Sequence, residues 1–478
     1  MTTNTVRGTG RRIQLTAEQL VPRDAVFVYD EFERHPANIV AAYVFSGSAE
    51  ITRAQVRTWM RERLGYSALF HRRLERVPGD IDLPYWVPDA AFDLDEHVTL
   101  EEARTWGPVR VRLAEIAATR MDLTRPPWEL HVFAGVSGFP DVPEPVTIVV
   151  LKFHHSVGDG VATRRLEQKL FGAGADHPPL PVVDHSWSPS AALLRAATLT
   201  PYRIGRFVIG LTRTRAAART VSARVADGLV HEPIPMRPAT RFNRRTTAAP
   251  TFGLVTLSLA EVRAVKGACA EPITVNDVLL AVVSGALATY LAECDETPPT
   301  SLSAMVPISM RGLAPWNSAN RLCQMAVDLH TDVDDPVQRL RAVHRSARQE
   351  KQRWSDDAVI ARESRLHTAP AWLLRLAGWA RSQRNFDDVD TVPLTNTTVS
   401  NVAPVAERLE FLGAPIRSVF GVLPIMDGDG LRHLITSQGD RLVVAFSSET
   451  AMLPDSDRYA ELLLRSFREL SERLRRAG

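Results

Sequence analysis

The apolar positions of this chain change their period several times, and each change predicts an element. Asp24 to Phe32 and Ile39 to Phe45 are short apolar runs of strand or loop character, and Arg53 to Phe70 follows with Val56, Trp59, Met60 and Leu64 at helical spacing. Val109 to Ala118 reads as a further helix. His131 to Gly135 and Val146 to His155 read as strands, the second β-branched and dense enough for a buried sheet position. Its alternation sends Ile148, Val150, Lys152 and His154 to one face and Val149, Leu151, Phe153 and His155 to the other. A helical pattern resumes from Val161 to Phe171.

Between Pro178 and Pro250 the pattern loosens, with prolines at both ends and two arginine-rich helical stretches at Ala191 to Thr198 and Ile204 to Ala226. Beyond Phe252 the compact pattern returns. Strands are expected at Gly253 to Leu259, Leu302 to Ile308, Val419 to Leu423 and Arg441 to Phe446, and helices at Asn276 to Ala292, Pro336 to Arg353, Ala371 to Ser382 and Asp457 to Arg475. The expected division is therefore an α/β unit over 1–185, a connection over 186–249 and a second α/β unit over 250–478. Length supports two cores, because single cores stop growing at roughly 250 to 300 residues. No internal repeat is visible.

Composition narrows the function classes. Hydrophobic content of 45% and charged content of 23% are those of a folded globular chain. A net charge of +2, with no groove-reading motif, gives no reason to expect a nucleic-acid partner. Cys269, Cys294 and Cys323 have no CxxC spacing and read as reduced thiols of a cytosolic enzyme. Met1 to Arg12 carries arginines without an apolar stretch after it, and Val278 to Ala292 is too short to span a bilayer and reads as a buried helix. A cytoplasmic protein is expected. In the connection, Arg195, Arg203, Arg206, Arg213, Arg215, Arg219 and Arg224 alternate with Leu193, Leu194, Ile204, Phe207, Val208, Ile209 and Leu211, with no acidic residue among them. That pattern fits an interfacial helix, so peripheral attachment to the inner face of a membrane or to lipid droplets is a further expectation.

The candidate chemistry lies at the end of the strand from Val146, in His154-His155-Ser156-Val157-Gly158-Asp159-Gly160. A neutral imidazole at a strand-to-helix corner suits a general base that deprotonates an alcohol, with no covalent intermediate. Two roles are open to Asp159: fixing the ring tautomer, or holding the loop through an arginine. Gly158 and Gly160 supply the tight backbone of the corner. A structural or metal-binding His-His pair is the competing reading, and Asp159 before a helix is also an ordinary N-cap. No Gly-x-Ser-x-Gly elbow supports a serine hydrolase.

His-His-x-x-x-Asp-Gly after a strand resembles the motif of the coenzyme-A-dependent acyltransferase superfamily, and the chain is similar in particular to the bacterial wax ester synthase/diacylglycerol acyltransferase family. The resemblance is carried by Val21-Pro22-Arg23-Asp24-Ala25-Val26-Phe27, Pro126-Pro127-Trp128-Glu129, Val275-Asn276-Asp277-Val278, Met305-Val306-Pro307-Ile308-Ser309-Met310-Arg311, Ser400-Asn401-Val402 and Met426-Asp427-Gly428-Asp429-Gly430. Val21 replaces an expected serine, Ala319-Asn320 an expected Gly-Asn, and Ala403-Pro404 departs from Pro-Gly-Pro. The resemblance implies two chloramphenicol-acetyltransferase-like domains, each a mixed β-sheet flanked by helices, with an active-site tunnel between them. It further implies acyl-CoA as co-substrate, a lipid hydroxyl acceptor, triacylglycerol or wax ester as product, and no metal or prosthetic group. His155 would be the base, supported by His154, Asp159 and Gly160. Asn276 would stabilise the oxyanion or position substrate, against the alternative that Asn276 and Asp277 cap a buried helix; Pro127, Trp128, Asp277, Ser400 and Asn401 would be structural. Two rivals remain: a condensation-type enzyme that takes acyl groups from a carrier protein, and a non-catalytic lipid-droplet-binding protein.

Overall fold

The computed structural model describes residues 14–477 apart from 48–49, 173, 175–176, 185, 248, 387–392 and 406–407. Met1 to Arg12, with its arginines, lies outside the described residues.

Two six-stranded mixed sheets organise the chain. The first contains β1 (Asn38–Ser46), β2 (Val98–Glu101), β3 (Trp128–Val136) and β4 (Val146–His154). The second contains β5 (Pro250–Ser258), β6 (Ser303–Ser309), β7 (Leu322–Asp328), β8 (Thr397–Asn401), β11 (Arg432–Gln438) and β12 (Arg441–Glu449), in the order β5-β12-β11-β8-β6-β7. The remaining two strands, β9 (Glu410–Phe411) and β10 (Ala414–Val422), come from the second half of the sequence but complete the first sheet, whose order is β9-β10-β1-β4-β3-β2. This corrects the expectation that the strand at Val419 to Leu423 belongs to a self-contained second unit. It runs antiparallel to β1, from Ile416 opposite Phe45 to Val422 opposite Val40. Period-two alternation announces a strand but carries no information about its partner.

Helices cover both sheets. They are α1 (Pro22–Tyr29), α2 (Arg53–Arg63), α3 (Trp106–Ala118), α4 (Gly160–Phe171), α5 (Pro189–Ala226), α6 (Leu259–Gly267), α7 (Val275–Glu293), α8 (Pro336–Arg353), α9 (Asp357–Glu363), α10 (Ala371–Ser382) and α11 (Ser456–Ala477). Helices α6 and α9 were not expected, α2 ends at Arg63 short of the expected Phe70, and three more differ from expectation. The first is α1, which was read as strand or loop. Pro22 in its first turn supplies a pre-set φ where no N–H is needed, and Asp24 sits favourably in the same turn. The second is α5, which is one helix of 38 residues with Pro201 inside it rather than two. Proline removes one ladder hydrogen bond there, and tertiary contacts on both sides hold the helix together. Ala192 and Ala196 pack with Val77, Tyr85 and Val87, Arg203 pairs with Asp82, and Val221 enters the large core of the second sheet. The third is the start of α7. Thr274 is its N-cap, in a capping box with Asp277, so the cap expected at Asn276 and Asp277 lies at Thr274 instead.

A shared core joins the sheets. Val109, Leu113 and Ile116 of α3 pack with Val40 and Val44 of β1, Phe420 of β10, Phe252 of β5 and Val443 of β12. Helix α7, longer than the Val278 to Ala292 stretch read from the sequence, is long and apolar enough to cross a membrane, yet most of it is buried in the second core, between sheet and helices.

Candidate active site

Strand β4 ends at His154, and His155 opens a 3-10 turn over His155–Val157 that leads through Gly158 and Asp159 into α4. The corner is tight: a Cβ on Gly158 would lie 2.8 Å from the Cβ of Ala162. At Gly160 a Cβ would reach Val402 at 3.4 Å, so the second half of the chain closes directly on this turn.

The two histidines have separate surroundings. His154 is fully buried; its Nδ1 accepts the Ser156 amide at 3.2 Å and lies 2.6 Å from Ser156 Oγ, which leaves Nε2 to carry the proton, 3.7 Å from Glu31 Oε2. Its backbone N–H donates to the Pro127 carbonyl at 3.1 Å. His154 therefore shapes the turn. The His155 ring is stacked on Phe27 of α1, with centroids 4.1 Å apart and planes 10° from parallel, and its Nδ1 lies 2.9 Å from Oδ1 of Asn320.

Asn320 determines which ring nitrogen of His155 is bare. Its Nδ2 donates to Asp24 Oδ1 at 2.9 Å and to the His155 carbonyl at 2.8 Å, so Oδ1 is the atom that faces the ring. An oxygen there accepts only if Nδ1 carries a hydrogen, and the lone pair is left on Nε2. Asp24 holds the whole loop: Oδ1 also accepts the Asn320 amide at 3.0 Å and Ser318 Oγ at 2.7 Å, and Oδ2 accepts the Ala319 amide at 2.9 Å. Burial pushes the His155 imidazolium down to about 4, the hydrogen bond to Asn320 opposing this only in part. The resting ring is neutral at neutral pH.

The tautomer role left open for Asp159 thus belongs to Asn320. Asp159 holds the loop, as the arginine alternative supposed. Arg311 binds it through both carboxylate oxygens at 2.7 and 2.9 Å, the Arg321 amide donates at 3.0 Å, and the amides of Val161 and Ala162 donate at 3.1 and 3.3 Å as an N-cap. The Asp159 carboxyl sits below its usual range because these donors outweigh its burial. Arg311 closes the Met305 to Arg311 segment singled out in the sequence, so that segment's contribution is the clamp on the histidine turn.

Two cavities lie near the turn, the first bordered by Ser156 and Val157 and the second by Val402, which faces Gly160. One, of about 300 Å³, is lined by Val21, Asp24, Pro127, Ser156, Val157 and Ser318, among others. The other, of about 450 Å³, is lined by Arg263, Asn276, Lys351, Asn401, Val402 and Ser437, among others. Asn276 therefore opens onto a cavity, with an Oδ1 that is buried and without a hydrogen-bond partner. Asp277 points the other way, into the core, where Oδ2 accepts from the Thr274 amide and from His344 Nδ1, both at 2.8 Å. Ser400 lies within β8, opposite Leu434, and Asn401 ends that strand at the cavity. Trp128 is buried against Phe70 and His97, its indole N–H donating to the Phe70 carbonyl at 3.3 Å, and serves packing. Among the described residues no group of three or more His, Cys, Asp or Glu side chains is disposed to hold a metal.

Asp24 and Asn320 were quoted in the sequence without a role. Their spacing of 296 residues explains why: only the folded chain brings them together.

Comparison with known proteins identifies the family. The wax ester synthase/diacylglycerol acyltransferase catalytic domain matches residues 20–279, and the WS/DGAT C-terminal domain matches residues 318–471. A Mycobacterium tuberculosis protein bearing the name of a diacylglycerol O-acyltransferase is 29% identical over 463 residues, which span 94% of this chain and 98% of its own. The O-acyltransferase WSD of Acinetobacter baylyi is 27% identical over 389 residues, 77% of this chain and 79% of its own. In fold, the chain is similar to the wax ester synthase/diacylglycerol acyltransferase of Marinobacter aquaeolei VT8, with a TM-score of 0.65 and 22% identity over 96% of this chain and 100% of that one. With one family model covering more than half its length, the chain belongs to the wax ester synthase/diacylglycerol acyltransferase family.

Proposed function

We propose that this protein transfers an acyl group from acyl-CoA to the hydroxyl of a diacylglycerol or a long-chain alcohol, with His155 as general base. Nε2 takes the hydroxyl proton as the oxygen attacks the thioester carbon. The tetrahedral intermediate collapses with cleavage of the C–S bond, and the imidazolium returns its proton to the departing thiolate, so that ester and free CoA leave a neutral His155. One encounter suffices, with no acyl-enzyme. The observation that carries this reading is the Asn320 amide, held by Asp24 and the His155 carbonyl, which keeps Nε2 of His155 unprotonated. In this reading acyl-CoA and acceptor reach that nitrogen by way of the cavity bordered by Ser156 and Val157 and the cavity bordered by Val402. Asn276, on the wall of the larger cavity, would stabilise the developing oxyanion through its amide N–H.

The test is CoA release by the purified protein with a long-chain acyl-CoA and, in turn, long-chain alcohol, monoacylglycerol and diacylglycerol, followed by identification of the ester. Acceptor-dependent CoA release with one ester formed per thiol is expected. Turnover confined to carrier-protein-bound acyl donors would establish the condensation-type alternative, and no turnover with any donor would favour a lipid-binding protein without catalysis.

A further inference from the structure

Helix α10 exposes a stripe that a soluble surface does not require. Trp372, Leu376 and Trp379 are 53%, 51% and 61% exposed, and their spacing of four and three residues puts them on one face. The opposite face fixes their direction. Ala371, Leu374 and Gly378 are buried, and a Cβ on Gly378 would lie 1.9 Å from the Tyr29 carbonyl of α1, so the helix is seated closely on α1 and cannot roll to hide its tryptophans.

Helix α5 extends this face. Phe207 meets Trp372 with ring centroids 6.3 Å apart, and Ile204, Val208 and Leu211 repeat the same four-and-three spacing as exposed side chains. Beyond Leu211 the line continues at Arg215 and Arg219, both exposed. With Arg213 they have no acidic partner among the described residues, although Arg203 and Arg224 on the same helix are both ion-paired. The patch is therefore an aromatic and aliphatic plateau beside free guanidinium groups, on a helix of 38 residues without one acidic side chain.

We propose that α10 and this part of α5 form the surface by which the protein docks on an anionic phospholipid bilayer. Indole rings partition to the boundary between headgroup and acyl chain, and guanidinium groups pair with lipid phosphate. The free arginines supply the charge complementarity that favours an anionic lipid surface over a neutral one. Docking here has a consequence for access. Helix α10 rests on α1, and Phe27 of α1 is stacked on His155, so a lipid phase at this face lies one helix away from the base. The docking surface itself does not depend on which acceptor is used.

The experiment is co-sedimentation of the full chain with vesicles of phosphatidylcholine alone or mixed with phosphatidylglycerol, at low and high salt. Wild type is compared with the double variant Trp372→Ser, Trp379→Ser and the triple variant Arg213→Gln, Arg215→Gln, Arg219→Gln. Wild type is expected to bind the mixed vesicles, the triple variant to lose the preference for them, and the double variant to bind roughly tenfold more weakly or less. None of these residues touches the histidine turn, so CoA release with a short water-soluble alcohol and the melting temperature should stay unchanged, which separates failed docking from failed folding or chemistry. Equal binding by all three proteins, or none by wild type, overturns the proposal. A wild-type dimer in light scattering that the tryptophan variant dissolves would overturn it in favour of a second copy of the chain.

Discussion

Turning the Asn320 amide over would set its oxygen against both the Asp24 carboxylate and the His155 carbonyl. Both contacts would be repulsive, so the orientation that leaves Nε2 bare is strongly preferred. Asn320→Ala is therefore expected to lower kcat by more than about 10-fold, toward the roughly 10²- to 10⁴-fold that a general base supplies, with the KM for acyl-CoA little changed. Steady-state kinetics beside a melting curve check this, and a lower melting temperature with normal kcat would contradict the positioning role. The pH profile is a second test. Burial lowers His155 from the usual 6.5 to about 4. The base thus stays competent as pH falls from neutral, and turnover should be lost only as pH approaches about 4 rather than near 6.5. The sign for stability follows from the same shift. Between 6.5 and 4 the unfolded chain binds the proton and the folded chain does not, so burying neutral His155 contributes stability that is full above 6.5 and declines through that window. At this scale the sequence was legible where the signal is local. His155 and the loop-holding option for Asp159 come from seven adjacent residues, whereas Asn320 and Asp24 acquire their roles from a contact no local pattern encodes.

The turn between β4 and α4 depends on the Asp159–Arg311 clamp, which ties the first sheet's catalytic strand to the loop after β6. The pair is partly screened, since the Arg311 side chain is 26% exposed while Asp159 is 3% exposed. Asp159→Asn keeps an oxygen for the α4 amides but gives up the bidentate ion pair. A loss on the order of 1–3 kcal/mol is expected, together with reduced turnover as the turn loosens. Chemical denaturation paired with kcat measures both, and a kinetic loss with unchanged stability would mean that Asp159 acts on the ring directly. Elements with a clear period, such as β4, α7 and α8, were read correctly in kind from the sequence. Helix α1 was not, because eight residues give too few turns for a helical period to stand out from a short apolar run. Helix α5 was divided at Pro201 because proline propensity is a local preference, and packing at both ends overrides it.

For the molecule as a whole, β10 crosses from the second half of the sequence into the first sheet, and the α3 core binds both sheets together. A boundary drawn along the sequence at 186–249 locates the connection, but the contacts of β10 were invisible until pairing was known. Residues 1–249 alone would leave the apolar edge of β1 unpaired and uncover Tyr43 and Phe45, which pack in β10's absence against nothing from that side. Expressed separately, this fragment is expected to aggregate and to become soluble when residues 250–478 are co-expressed; a folded, monomeric 1–249 would contradict the shared-sheet account. Every part of this architecture converges on Nε2 of one histidine. The most direct measurement is CoA release by purified His155→Ala beside wild type, with a long-chain acyl-CoA, each acceptor in turn, and circular dichroism to confirm folding. Acceptor-dependent release by wild type and a loss of at least about 10²-fold in the folded variant are expected. Near-normal turnover by folded His155→Ala would contradict the general-base role.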